Sequence, residues 1–192
     1  MRLRLRFAAV LVTLLVSLAG WAQESSVVRV GVAVLENDAG RSVPASVAQA
    51  QLVKSINRIK PDKKTHVTVE AIALNGSTAA EQGQEAIDKH CEYVVYTRLT
   101  ELRGQQDPYQ RQPGTIETSP NSQWGSHNQA MDPEYRGTIE YRMVSKGGST
   151  VAGAPFSSQQ AGNEMNVVSQ ILDRIALAVV DQARKGTPAM RE

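Results

Sequence analysis

Scarcity is what first bounds this chain. Its 192 residues include one cysteine, three histidines, two tryptophans and two phenylalanines. A lone cysteine, Cys91, excludes an intramolecular disulfide, and the commonest use of such a residue is as a small buried hydrophobe. His66, His90 and His127 are too few and too scattered to suggest a base held against a serine or cysteine, which nucleophilic catalysis requires. His90 adjoins Cys91, yet neighbouring helical residues point about 100° apart. No second ligand cluster accompanies them, so no metal site is expected. His127 follows Ser126 without any nucleophile-elbow pattern and reads as a solvated loop histidine. Glu36 to Arg41, after the first apolar segment, holds one glycine and two acids that repel phosphate, so it is no phosphate loop. Carboxylates such as Glu70 and Glu101 have no spacing that assigns acid–base work. No catalytic residue and no cofactor is implied, and the absence of a concentrated basic face argues against nucleic acid.

The one long apolar run stands at the start. Arg2, Arg4 and Arg6 precede Phe7–Leu18, a stretch of signal-peptide length and too short to span a bilayer comfortably. Gly20 and Ala22 put small residues at the −3 and −1 positions of a cleavage site before Gln23. The expectation is a signal peptide over residues 1–22, cut between Ala22 and Gln23, and an exported chain that is periplasmic or secreted. Trp21 stands where a bacterial lipoprotein carries its lipid-bearing cysteine. A lipid anchor at that position is excluded, and no stable membrane insertion is expected after cleavage. Losing the three arginines takes the formal charge from +2 to −1, so the basic balance belongs to the signal.

The remaining residues, 23–192, suit one domain with a sizeable core. Val27–Leu35 is nearly all apolar and β-branched, as in a strand buried on both faces. Ser42 is placed to cap a helix with Pro44 in its first turn, and Ala45, Ala48, Leu52, Ile56 and Ile59 form its apolar stripe. His66–Leu74 reads as a second strand. Thr78 and Glu81 then stand in capping-box spacing at the head of a helix running to about His90. Tyr93–Leu102 is a third strand whose mixed composition suits an edge or a partly wet face. Strand alternation resumes at Tyr135, with Ile139, Tyr141 and Met143 against Thr138, Glu140 and Arg142. Gly147-Gly148 turns into Ser149–Ser158, where Gly153 and Pro155 suggest a bulge or an edge. A final helix carries Val168, Ile171, Leu172, Ile175, Val179 and Ala183 on one face and ends at Gly186 and Pro188, with residues 187–192 a frayed tail. The fold class is α/β (α+β): a two- or three-layer domain, order β-α-β-α-β-β-β-α, on a mixed sheet of about five strands.

Between the third strand and the hairpin, residues 104–134 show no periodicity and, counted from Arg103, hold four of the eight prolines. So long a polar loop inside a compact domain is usually functional or flexible. Tyr109, Arg111 and Trp124 are its large amphipathic side chains, of the types that dominate binding hot spots. The alternative is that Trp124 only pins the loop to the sheet. Arg98 and Arg142 are read as strand residues paired with Glu140 and Glu101.

Two segments carry a family resemblance. Arg29–Asn37 reads RVGVAVLEN, and Glu92–Leu102 reads EYVVYTRLTEL. Together with the element order, they resemble the small α/β domain of the curli-secretion CsgG type, the N-terminal domain of TolB and the related peptidoglycan-synthase activator lipoproteins. The resemblance covers about Val28 to Arg184, more by element order than by identities. Trp21 departs from the lipoprotein pattern, and neither barrel-forming nor propeller strands are visible. It implies a non-catalytic domain of the bacterial envelope and transfers no functional residue. The leading reading is a module that binds another envelope protein through the 104–134 loop or by pairing at an exposed strand. A small-ligand or glycan-binding domain using the loop aromatics is the alternative, and a hydrolase the least supported. The oligomeric state stays open.

Overall fold

The computed structural model describes residues 26–61, 66–105 and 134–186. They form a six-stranded mixed sheet and three helices: β1 (Val27–Val32), β2 (Glu36–Asn37), α1 (Ala45–Arg58), β3 (Thr68–Ala73), α2 (Ala79–Asp88), β4 (Tyr93–Gln105), β5 (Glu134–Ser145), β6 (Thr150–Ala161) and α3 (Glu164–Gly186). The α/β class and the order of the longer elements are as the sequence predicts. The two-residue β2, which pairs with β4 at Glu36↔Arg98, is additional and too short to leave a pattern.

Strand order is β3-β1-β4-β5-β6, with β1 parallel to β3 and β4, and the last three strands antiparallel. This topology dictates which face each helix covers. The connection from β1 to β3 moves one way across the sheet and that from β3 to β4 moves back, so two right-handed crossovers place α1 and α2 on opposite faces. The β4–β5–β6 meander needs no crossover, and α3 returns to the α1 side. Among the described residues, one face is therefore covered along its length, while the other is covered only at the β3–β1–β4 corner.

The covered face holds the main core. Val28, Val30 and Val32 of β1, Val95 and Leu99 of β4, and Ile139 and Met143 of β5 pack with Leu52 and Ile56 of α1 and with Ile171, Leu172, Ile175 and Val179 of α3. The second cluster is small: Leu74, Ala86, Cys91 and Val94 under α2.

Three local expectations are corrected. Ser42 does not cap α1; Pro44 is its N-cap, extended at φ −66° and ψ 109°, with no side-chain cap bond. A residue before proline is pushed out of the α region, so Val43 cannot open the helix. Strand β4 is not at an edge but in the middle of the sheet, so of the two expectations the partly wet face holds: Tyr96, Arg98 and Arg103 face the uncovered side, while Thr97 is buried on the core side. Strand β1 is buried on both faces only from Val30 onward, since Val27 and Arg29 are exposed. The expected edge at Gly153 and Pro155 is present as β6.

Candidate functional site

In open α/β sheets, ligands sit at the carboxyl ends of the parallel strands where strand order reverses. Here strand order reverses between β1 and β4, and that place, like the neighbouring ends of β1 and β3, is filled by the chain itself. Gln49 of α1 is buried and donates its amide to the carbonyls of Val32 (2.8 Å) and Leu74 (2.7 Å), clamping the two strand ends. The chain leaving β1 runs on along β4, with Ala33 N–H donating to Val95 O and Asp38 N–H to Leu99 O.

The loop from β3 into α2 is closed in the same way. The N–H groups of Asn75 and Gly76 donate to Glu85 Oε2 at 2.6 and 3.0 Å. Those of Ser77 and Thr78 donate to Glu81 Oε2 at 2.7 and 3.2 Å, with the Ser77 hydroxyl at 2.6 Å. The Thr78–Glu81 capping box read from the sequence is thus formed. Backbone amides that elsewhere hold a phosphate are occupied by two carboxylates in cis. The Ser77 hydroxyl, then the backbone amides, hold the Glu81 carboxyl below its usual value. The Lys89 ammonium does the same for Glu85, with the amides adding to it.

His90 and Cys91 have structural roles. His90 adopts φ 55° just past the end of α2. Its N–H donates to Ile87 O, and Cys91 N–H donates to Ala86 O, which is the Schellman pattern. Cys91 then packs on Ala86, and burial pushes its thiol pKa up, away from the reactive thiolate. Glu70 and Glu101 are not brought together: β1 lies between their strands, and Glu70 pairs with Arg29 at 3.2 Å. Among the described residues no three His, Cys, Asp or Glu side chains are placed to share a metal ion, and no helix is long and apolar enough to cross a membrane.

Tyr109, Arg111 and Trp124, as well as His127 and the Ala22–Gln23 junction, lie outside the described residues. What the structure presents is the uncovered face of β4–β5–β6. Arg142 lies over the Tyr96 ring, 5.2 Å from its centroid. Arg98 stands opposite Glu140 in register, as expected, but its ion pair is with Asp38 of the segment after β2. Glu101 pairs with Arg103 at 3.2 Å, not with Arg142. The outward residues of β5 are Glu134, Arg136, Thr138, Glu140 and Arg142, and none of its four charges has an ion-pair partner among the described residues. The period-two alternation seen from Tyr135 was the signal for this face, although its charge pattern carried no assignment in the sequence.

Both sheet edges carry side-chain caps. At β3, the Asn57 amide accepts from Ala71 N–H (2.7 Å) and donates to Ala71 O (3.1 Å), and Lys89 donates to Ala73 O (2.9 Å). At β6, Arg174 donates to Ser157 O (2.8 Å) and Gln182 to Val151 O (3.4 Å). Pro155 removes a donor two residues from Ser157. Pairing at an exposed strand is opposed at both edges.

No protein-family model and no curated protein matches the chain. Solved structures do. A PelC variant from Paraburkholderia phytofirmans, described as a dodecamer, superposes with a TM-score of 0.52 at 10% identity, over 77% of this chain and 84% of that one. The lipoprotein GNA1162 from Neisseria meningitidis gives 0.41 at 13% identity over 83% and 99%. The LpoB C-terminal domain from Salmonella enterica gives 0.42 at 11% identity over 73% and 87%. At such identities the PelC likeness is one of fold alone, and in fold this chain is similar to that α/β subunit.

Proposed function

We propose that the chain is an exported, non-catalytic module of the bacterial envelope, of the curli-secretion or TolB N-terminal type. It engages another envelope protein through residues 104–134, with Tyr109, Arg111 and Trp124 as the contacts. The reading is supported by one observation: the strand-end crevice between β1 and β4, where such a sheet takes a small ligand, is filled by the chain leaving β1, and the β3 end beside it is closed by Gln49, Glu81 and Glu85. The fold likeness to PelC, a protein described as assembling into a dodecamer, supports an assembly role. Residues 106–133 join the ends of the two long central strands, β4 and β5, and hold the hot-spot residue types. That position would present them from a rigid base.

The test is capture from envelope extract with the intact chain, with a chain in which residues 106–133 are replaced by a short Gly/Ser linker, and with Trp124→Ala. A single protein held by the intact chain and lost by both variants supports the reading. The same protein held by all three overturns the loop as the contact. Capture of nothing by the intact chain overturns the binding role.

A further inference from the structure

We infer that the uncovered face of β5 is a self-association surface, and that its occupant is a second copy of this chain stacked face to face. This goes beyond the loop reading and does not rest on it. The outward residues of β5 read Glu134, Arg136, Thr138, Glu140, Arg142, spaced two apart along one face. Placed antiparallel over itself about a two-fold axis through Thr138, this series sets Arg136 against Glu140 of the other copy and Glu134 against Arg142. All four charges of each copy then face an opposite charge. No other placement does this. Centring on Arg136 or Glu140 puts that residue over its own like charge. Centring one residue to either side of Thr138 sets Glu134 over Glu140, or Arg136 over Arg142. A parallel arrangement about an axis along the strand places every residue over itself. The pattern is therefore self-complementary in one register and one direction, which is what an isologous interface requires.

The surroundings fit the same arrangement. None of Glu134, Arg136, Glu140 and Arg142 has an ion-pair partner among the described residues; Arg142 lies over the Tyr96 ring and Glu140 stands opposite Arg98, contacts that leave their charged groups able to pair across. On β4 the same axis brings Arg98 over Arg103 of the other copy and Glu101 over itself, but Arg98 is paired with Asp38 and Arg103 with Glu101 within each copy, which reduces these like-charge contacts. On β6, Ser157 is level with the centre, the small Gly153 and Pro155 lie beside Arg142 and Glu140 and leave room for long side chains, and Gln159 lies beside Arg136. Stacked sheets lie about 10 Å apart, a gap that an arginine and a glutamate bridge between them. With both edges capped, face-to-face stacking meets less opposition than edge pairing among the described residues.

The size of the face sets the strength. Three strands about 4.8 Å apart and about ten residues long at about 3.3 Å each give roughly 500 Å² per copy, at the low end for specific interfaces. The dimer is thus expected to be reversible and weakened by salt, because charge pairs at a wet face are screened.

Analytical ultracentrifugation of the full chain as it purifies from cells tests this. Two doubly substituted chains are compared with it: Arg136→Glu/Arg142→Glu, which makes the β5 face all acidic, and Glu134→Arg/Glu140→Arg, which makes it all basic. Circular dichroism and thermal melts confirm that both fold, as expected for exposed positions. The expected result is a monomer–dimer equilibrium for the unsubstituted chain, at least tenfold weaker in 0.5 M salt than in 0.05 M. Each variant alone is expected to be monomeric at concentrations where the unsubstituted chain is half dimeric. An equimolar mixture of the two should restore a dimer. A monomeric unsubstituted chain at all concentrations overturns the proposal. So does self-association of either variant at the original strength, or a mixture that stays monomeric.

Discussion

The two faces of one sheet are held in different ways. On the α1/α3 side, strand residues meet a continuous apolar layer, and Ile139, Met143, Leu52 and Ile171 are fully buried. On the α2 side, the apolar cluster is four residues, and the helix is fixed mainly by directed bonds. These are the capping box at Thr78–Glu81, the Glu85 carboxylate on two backbone amides, the Lys89 bond to Ala73 O and the Schellman turn at His90. The remainder of that face, over β4–β5–β6, has no helix among the described residues. The difference comes from connectivity: crossovers bring helices and antiparallel turns do not. A face without a helix keeps charged residues on the same strands that bury valine and methionine on the other.

Substituting neighbours on one strand breaks this comparison most sharply. Ile139 points into the main core and Glu140 points out. Ile139→Ala is expected to cost about 3–4 kcal/mol in chemical denaturation, through lost transfer energy and the cavity left behind. Glu140→Ala is expected to stay within about 0.5 kcal/mol. Comparable losses at the two positions would mean that the uncovered face carries tertiary packing of its own.

Next in size is the clamp between the faces. Gln49→Leu keeps the volume but removes the donor shared by the Val32 and Leu74 carbonyls; Val32 O keeps the Leu74 N–H at 2.9 Å, so it is the Leu74 carbonyl that is stranded. Burying one acceptor unpaired is costly, and about 1–2 kcal/mol is expected from urea midpoints. Gln49→Glu, which supplies no amide protons, should be no better.

What could be read beforehand follows the same division. The main core was legible because repeated apolar positions must share a face: Ala48, Leu52 and Ile56 in α1, and Ile171, Leu172 and Ile175 in α3, all lie buried. The Thr78–Glu81 cap was legible because it is local. Strand order was not, because the pattern of Tyr93–Leu102 records that one side is polar but not whether the strand is central. The roles of Gln49 and Asn57 were hidden for a different reason. Each acts on backbone groups 14 to 25 residues away, and their side chains differ in no visible way from any exposed helix amide. The site candidates Tyr109, Arg111 and Trp124 rest on residue type alone, whereas the self-complementary charges of β5 gain meaning only once the face is known to be uncovered.

A smaller effect separates the faces by pH. Thr78→Ala should cost about 1 kcal/mol by removing the α2 cap. The carboxyls of Glu81 and Glu85 are held below their usual value of 4.5, so each contributes stability above that value and loses it as pH falls through the lowered one. Thermal melts of the unsubstituted chain and of Glu81→Gln should therefore differ at pH 7 and converge in acid. No such convergence is expected for Leu52→Ala, whose deficit is apolar and independent of pH.

The smallest expected effect has the opposite sign. His90 holds φ 55°, a conformation that strains any residue with a Cβ, and it does so to let Cys91 close the Schellman turn over Ala86. Glycine adopts that conformation without strain but adds freedom to the unfolded chain, which offsets part of the gain. His90→Gly should therefore stabilise by about 0.5–1 kcal/mol, read as a raised melting temperature. A loss instead would show that the imidazole itself contributes at this corner. The α2 side would then depend on side-chain contacts in the way the main core does, and the contrast between the two faces would narrow to one of area.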